Sequence, residues 1–130
     1  MATKITLLGN PLSTNTVWRT TSKGNFQRTY LSNSGRALKE SYQWQSKSQW
    51  KKPILTQAVG IEVRLYFGDK RKRDIDNYHK LSLDSLTGIV YEDDSQIQKM
   101  TVEKFYDKEN PRIEIEIEEI VAKLAPHLVK

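Results

Sequence analysis

The chain has 130 residues, of which 37% are hydrophobic, and 21 basic against 16 acidic side chains give it a net charge of +5. This length allows one compact core and excludes two ordinary domains, so we treat residues 1–130 as a single domain. The absence of cysteine excludes disulfides and thiolate zinc sites, so any metal must bind oxygen or imidazole ligands. No segment resembles a signal peptide or a membrane-spanning helix, and we expect a soluble chain in a reducing cytoplasm.

The first predicted element is a short strand around Ile5 that ends at residues 9–11, a turn-forming Gly-Asn-Pro run. Residues 11–33 are rich in Ser, Thr, Asn and Gly and show no periodicity that predicts a strand or a helix. The local structure of this loop therefore stays undetermined.

A helix is predicted from about Gly35 through the Gln- and Ser-rich stretch that follows. Either Ser32 or Ser34 caps its start, and Pro53 stops it. Its polar composition indicates a helix exposed to solvent, with Tyr42 on its apolar face.

Residues 58–67 alternate between apolar and polar side chains, the pattern of a strand with one buried face. Gly68 ends this strand, and an uninterrupted basic loop follows. The basic loop comprises Lys70, Arg71, Lys72 and Arg73. A second helix is predicted from about residue 74 or 76 to residue 87, where Gly88 stops it.

Two further strands are predicted at about residues 96–106 and 112–118, with residues 107–111 as a hairpin turn between them. Residues 120–130 start as a short helix but contain Pro126, so we expect this C-terminal extension to fray. The order of elements predicts a single α+β domain. Its sheet is mixed or antiparallel with about four or five strands, and two main helices cover one face.

Acidic residues flank the second predicted helix on both sides. Asp74 and Asp76 lie at its start, and Asp93 and Asp94 follow its end. Carboxylate oxygens bind hard cations such as Mg²⁺ and Mn²⁺, which keep open positions for water and phosphate oxygens. Such a site suits phosphodiester hydrolysis, and the basic loop would hold a DNA backbone against it.

A lysine lies within this acidic region. In the predicted helix Asp76, Lys80 and Asp84 occupy successive i, i+4 positions, so two carboxylates flank one ammonium on a single face. The ammonium can stabilise negative charge that gathers on a phosphate. The alternative is an ordinary helix start with acids that favour the macrodipole, followed by an exposed ion-pair ladder.

The sequence of residues 73–97, RDIDNYHKLSLDSLTGIVYEDDSQI, resembles the signature of RusA-family crossover junction endodeoxyribonucleases. That signature has an R-D-x-D-N start, a lysine one helical turn on, an aspartate after it, and then D-D-x-Q. A weaker resemblance lies in residues 11–19, where the family usually has P-P-S-x-N and then an aromatic and a basic residue. Leu12 departs from the second proline, and the likeness extends to about Glu118.

The resemblance implies a homodimeric RusA-like nuclease, dependent on Mg²⁺ or Mn²⁺ and on no small-molecule cofactor, that nicks opposing strands of a four-way DNA junction. Such enzymes are typical of phages and prophages and act in the bacterial cytoplasm. By position, the resemblance makes Asp74, Asp76 and Asp94 the metal ligands and Lys80 the catalytic lysine. A two-fold symmetric substrate is met most simply by two identical sites about a two-fold axis.

Other residues are assigned supporting roles. The residues assigned to DNA contact in the basic loop are Lys70, Arg71, Lys72 and Arg73. Asp84 either orients Lys80 or lines the acidic pocket, while Asp93 competes with Asp94 as a ligand but suits a turn better. Leu81 lies off the predicted core stripe of its helix, which assigns it to the subunit interface.

The long N-terminal loop contains two further candidates. Asn15 and Arg19 either reach the DNA or only satisfy backbone groups of the loop. The tryptophans Trp18, Trp44 and Trp50 are expected in the core or at an interface rather than as platforms for stacked bases.

Two other functions stay open, namely a nuclease for branched DNA in general and a catalytically idle protein that binds branched DNA. The complete acidic set argues against the idle protein, because binding alone gains nothing from carboxylates placed against phosphates. Selectivity for one branched shape depends on dimer geometry, which one sequence does not display.

Overall fold

The computed structural model describes residues 2–13, 18–23 and 26–120, and for residues 18, 19, 21–23 and 26–29 it describes the backbone alone. The strands are β1 (Ala2–Leu8), β2 (Trp18–Lys23), β3 (Phe26–Leu31), β4 (Val59–Phe67), β5 (Ile97–Tyr106) and β6 (Arg112–Glu119). The α-helices are α1 (Asn33–Gln49) and α2 (Lys80–Leu86), and 3-10 turns lie at Ile75–Asn77 and Asp94–Gln96. The predicted α+β class is confirmed, and the predicted C-terminal extension lies outside the described residues except for Ile120.

Four strands form one mixed sheet in the order β1-β6-β4-β5, and β2 and β3 pair separately as an antiparallel hairpin. β6 pairs antiparallel with both β1 and β4, whereas β4 and β5 run parallel. β4 takes a central position because its predicted apolar face is buried along its whole length. That face comprises Val59, Ile61, Val63, Leu65 and Phe67.

The predicted hairpin between the last two strands is wrong. β4 lies between β5 and β6, and residues 107–111 cross its end, where the Asp107 N–H donates to the Phe67 carbonyl at 2.8 Å. Alternation identifies which face of a strand is buried, but it does not identify the neighbouring strand. A parallel pair needs a long connection, and residues 68–96 supply it. We call residues 68–96 the crossover.

The core lies between one face of the sheet and the two helices. Tyr42 of α1 is 1% exposed, and Trp50 directly after α1 is 7% exposed, as expected for a core tryptophan. Leu81 of α2 is only 6% exposed in the same core, so its predicted place at a subunit interface is wrong. Most residues of the short helix α2 are buried. Within the described ranges, no helix is both long enough and apolar enough to cross a membrane.

The second predicted helix is interrupted. Asp74 caps the Ile75–Asn77 turn by accepting a hydrogen bond from the Asp76 N–H at 3.4 Å, and α2 begins only at Lys80. Tyr78 between them has φ −121° and ψ −2°, outside the α-helical region. Its ring packs edge-on against Phe67 with the centroids 5.0 Å apart, which holds the chain against the end of β4. Asp76 therefore does not share a helix with Lys80, contrary to the prediction.

The other face of the sheet carries a polar network. Arg64 on β4 bonds Glu116 and, at 3.3 Å, Glu114 of β6, while Arg112 bonds Glu114 at 2.7 Å. Burial by itself would raise the pKa of Glu114, but the hydrogen bonds from Arg112 and Arg64 outweigh it and lower this pKa. The guanidinium of Arg112 also lies 3.8 Å from the centroid of the Tyr66 ring. These paired charges lie on the face of the sheet that the helices do not cover.

Two glutamines of α1 occupy the outer edge of β1. The Gln49 amide accepts from the Thr6 N–H and donates to the Thr6 carbonyl, each at 2.8 Å. The side-chain amide oxygen of Gln45, Oε1, accepts a hydrogen bond from the Leu8 N–H at 2.8 Å. These bonds use backbone groups that an edge strand would otherwise offer to another chain. The helix that composition predicted to be exposed thus protects a sheet edge.

We predict that Gln49→Ala lowers the free energy of unfolding by about 1 kcal/mol, because two backbone groups of Thr6 lose their side-chain partner. Urea denaturation measures the change. Lys39→Ala is the matched control, since it replaces a similarly helix-prone residue of α1 that makes no hydrogen bond to the described part of β1. Equal stability of the two variants would contradict the role of Gln49.

Candidate functional site on the crossover

The crossover carries every predicted site residue whose side chain the structure describes. It runs from the end of β4 through the basic loop, the first 3-10 turn and α2 to the second 3-10 turn, which leads into β5. Asn15 lies outside the described residues, and Arg19 is described only as backbone within β2.

Arg73 of the basic loop points inward. Its guanidinium bonds the Asp69 carboxylate at 2.8 Å and lies 4.3 Å from the centroid of the Phe67 ring, and its side chain is only 8% exposed. It also donates to the carbonyl of Asp69 at 3.3 Å. Arg73 therefore braces the loop against the end of β4, a role that its charge alone does not predict.

The remaining basic side chains lie on the outside of the loop. Arg71 is 78% exposed and Lys72 is exposed, whereas the Lys70 ammonium lies 4.9 Å from the centroid of the Tyr106 ring. The Asp69 carboxylate holds the loop through contacts with other residues of the loop. A hydrogen bond from the Arg71 N–H, and then one from the Arg73 guanidinium, hold the pKa of Asp69 below its ordinary value. The loop thus presents cationic side chains from a fixed backbone.

The N-terminal loop borders the basic loop. The Asn10 side chain accepts a hydrogen bond from the Gly68 N–H at 2.9 Å. A groove of about 190 Å³ lies between the two loops. The residues that line it are Asn10, Pro11, Leu12, Ser13, Asp69, Arg71, Arg73 and Tyr78. Residues 11–13, the described start of the first segment that resembles the family, therefore lie beside the basic loop, although the two are far apart in sequence.

Asp74 and Asp76 lie at the first 3-10 turn, and both are exposed. The turn is held beside β5, where the Lys104 ammonium donates to the Arg73 carbonyl at 3.0 Å. Among the described residues neither carboxylate forms an ion pair with a cationic side chain. Within the described chain, no cationic side chain therefore competes with a hard cation for these two carboxylates.

Lys80 and Asp84 form the ion pair that their spacing predicts. The ammonium and the carboxylate are 3.3 Å apart on α2, with the side chain of Lys80 58% exposed and that of Asp84 21% exposed. The pair orients Lys80 along the helix surface. This contact favours a supporting role for Asp84 over direct metal binding.

Asp93 and Asp94 lie at the second 3-10 turn and differ in their surroundings. Asp93 caps the turn by accepting a hydrogen bond from the Ser95 N–H at 3.1 Å. Hydrogen bonds from the Ser95 side chain and then from its N–H lower the pKa of Asp93. Asp94 is exposed and takes no part in the cap. The geometry thus gives Asp93 the turn role and leaves the Asp94 carboxylate available.

The buried Tyr91 connects the two acidic parts. Its hydroxyl donates to the Leu83 carbonyl of α2 at 2.7 Å. Burial raises the pKa of Tyr91, and the negative charges of Asp94, Asp84 and Asp93 raise it further. The carboxylates of Asp94, Asp84 and Asp93 are therefore near enough to Tyr91 to act on it electrostatically.

The predicted metal ligands do not form a ready-made cage. In residues 2–13, 18–23 and 26–120, no three acidic or histidine side chains lie close enough together to hold one ion. The donor chemistry nevertheless suits Mg²⁺, which commonly binds one or two carboxylates and fills its other positions with water and phosphate oxygens.

Gln96 is a positioning residue to which the sequence motif assigned no role. Its side-chain amide oxygen accepts hydrogen bonds from the N–H groups of Glu92 and Asp93, at 2.8 and 2.9 Å. Its amide nitrogen donates to the carbonyls of Leu55 and Gln57, at 2.9 and 2.8 Å. One side chain thus ties the turn that carries Asp94 to the segment before β4.

These features define an α+β protein whose crossover combines hard oxygen donors, a lysine and a basic loop. The family model for endodeoxyribonuclease RusA matches residues 9–118, which include the whole crossover. The chain therefore belongs to the RusA endodeoxyribonuclease family.

Individual relatives agree with this placement. The crossover junction endodeoxyribonuclease of Enterobacteria phage 82 is 31% identical over 97 residues, which cover 74% of this chain and 81% of that protein. The Escherichia coli K12 enzyme of the same name is 30% identical over the same shares. The Bacillus subtilis protein YqaN is 47% identical over 51 residues, so the chain matches only 35% of YqaN.

We predict that Gln96→Ala lowers the free energy of unfolding by about 2 kcal/mol, because four hydrogen bonds are lost and two backbone N–H groups lose their partner. Amide hydrogen exchange at Glu92 and Asp93 should accelerate more than exchange in β4. Gln98→Ala, at an exposed position of β5, is the matched control. Uniform acceleration across the protein would show that Gln96 has no local role.

Proposed function

We propose that this chain resolves four-way DNA junctions by metal-dependent hydrolysis of phosphodiester bonds at two symmetric sites of a homodimer. The family match across residues 9–118 carries the proposal, because it includes Asp74, Asp76, Lys80 and Asp94 together. The relatives from phage 82 and Escherichia coli K12 are named crossover junction endodeoxyribonucleases, and we infer the same substrate for this chain.

Asp74, Asp76 and Asp94 would hold Mg²⁺, or Mn²⁺ in its place. Their exposure and their lack of ion pairs within the described chain support this assignment. A divalent ion bound there would supply an activated water and neutralise charge on the phosphate. Since the three carboxylates are not gathered beforehand, we infer that the complete site forms only when metal and DNA bind.

Lys80 would act beside these carboxylates. Asp84 holds its ammonium at 3.3 Å, so the lysine keeps its orientation while more than half of its side chain stays exposed to an incoming phosphate. A fixed positive charge stabilises the transition state without reorganisation during the reaction. Asp84 is then a positioning residue.

The basic loop would bind the DNA backbone. Arg71 and Lys72 are exposed and can approach phosphates, whereas Arg73 braces the loop from inside and Lys70 lies over Tyr106. Phosphate contacts of this kind position the duplex without reading its sequence. Preference for a junction would then come from the arrangement of two such loops in the dimer.

The test is cleavage of a labelled four-way junction beside matched linear duplex and flap DNA, with Mg²⁺ and with EDTA. We expect paired nicks in the junction that require Mg²⁺. Asp76→Asn should reduce cleavage at least about 100-fold, because it removes a ligand of the metal ion that would neutralise charge in the transition state. Glu118→Gln is the matched control, since it removes an exposed carboxylate on β6, and it should cleave normally.

Each other outcome contradicts part of the proposal. Equal cutting of junction and flap DNA would indicate a nuclease for branched DNA in general. Junction binding without cleavage in the presence of Mg²⁺ would indicate a binding protein. Full activity of Asp76→Asn would show that the carboxylate of Asp76 is not a metal ligand.

A further inference from the structure

The outward face of α1 carries an exposed tryptophan. Glu40, Gln43, Trp44 and Lys47 are spaced i, i+3, i+4 and i+7, so they share one face of the helix. Trp44 is 74% exposed, whereas Trp50 at the end of the same helix is 7% exposed. Tryptophan is among the residues that contribute most binding energy at protein interfaces.

This face borders a groove. The turn of residues 87–89, which follows α2, forms its other wall and leaves a space of about 360 Å³ beside Trp44. The turn is fixed by Gly88, which has φ +86° and donates its N–H to the Tyr91 carbonyl at 2.7 Å. No atom lies within 4 Å of the position that a Cβ would take at Gly88. A backbone hydrogen bond therefore holds this wall of the groove, and the space beside Gly88 is open.

The charges on this face are self-complementary. Glu40 and Lys47 lie two helical turns apart with Trp44 between them, and neither forms an ion pair within the described chain. If a second copy of α1 packs antiparallel about a two-fold axis near Trp44, residues whose numbers sum to 87 lie opposite each other. Glu40 then faces Lys47 of the partner subunit, and the reverse pair forms by symmetry.

We propose that this face of α1 is the two-fold interface of a homodimer, with Trp44 of each protomer seated at the groove of the other. The proposal rests on the proposed function, which requires a second copy of the chain. Two crossing helices contact each other over about two turns, and residues 40–47 span that length. One acid and one base leave the face without net charge, so it attracts a second copy better than it attracts DNA phosphates.

The test is sedimentation velocity at a series of protein concentrations, without DNA. Trp44→Ala should raise the dimer dissociation constant about 30-fold, the effect of a typical interface hot spot. Glu40→Lys and Lys47→Glu should each weaken the dimer, because each places like charges opposite each other. An equimolar mixture of these two variants should dimerise again, and so should the double variant. Glu118→Lys, the same charge change on β6, should behave as the wild type.

Two results would overturn the interface. The first is a wild-type dimer that none of the α1 substitutions weakens. The chain would then still form the homodimer of the proposed function, but through another surface. The second is a mixture of Glu40→Lys and Lys47→Glu that remains as monomeric as the separate variants. Junction cleavage is measured separately, so an inactive wild-type dimer would contradict the proposed function but not this interface.

Discussion

The parallel pairing of β4 with β5 is the constraint on which the rest of the structure depends. A parallel pair cannot be joined by a tight turn, so the chain must return from one end of the sheet to the other before β5 begins. Residues 68–96 make that return, and they carry the basic loop, both acidic turns and Lys80. The topology thus places the proposed chemistry on one connection beside a rigid sheet.

A few side chains hold the crossover in place. Arg73 and Tyr78 both pack against Phe67 at the end of β4, which fixes the start of the connection. Tyr91 bonds α2 from within the core, and Gln96 holds the last turn through four hydrogen bonds. None of these residues belongs to the proposed catalytic set. They are positioning residues. The sequence identifies their side chains but does not identify the residues that they contact.

The sequence predicted the features that depend on local pattern. The alternation of residues 58–67 identified β4, and Ser32, one of two suggested caps, accepts from the Gly35 N–H at 3.0 Å. The i, i+4 spacing of Lys80 and Asp84 predicted their ion pair.

The sequence could not predict features that depend on distant contacts. The hairpin between the last two strands was wrong because alternation does not name the neighbour of a strand, and both strands pair with β4. The continuous second helix was wrong because Tyr78 packs against Phe67, a contact between distant parts of the chain. Leu81 is buried because α2 is enclosed on most sides, which a single apolar stripe does not describe.

The central claim is that the carboxylates of the crossover bind a divalent metal beside DNA. Its most direct test is the paramagnetic broadening of backbone amide signals by Mn²⁺, with and without a four-way junction. We expect broadening that is centred on Asp74, Asp76 and Asp94, that is stronger with DNA, and that is lost with excess EDTA. Broadening that is absent, or that is centred on acids away from the crossover, would contradict the claim.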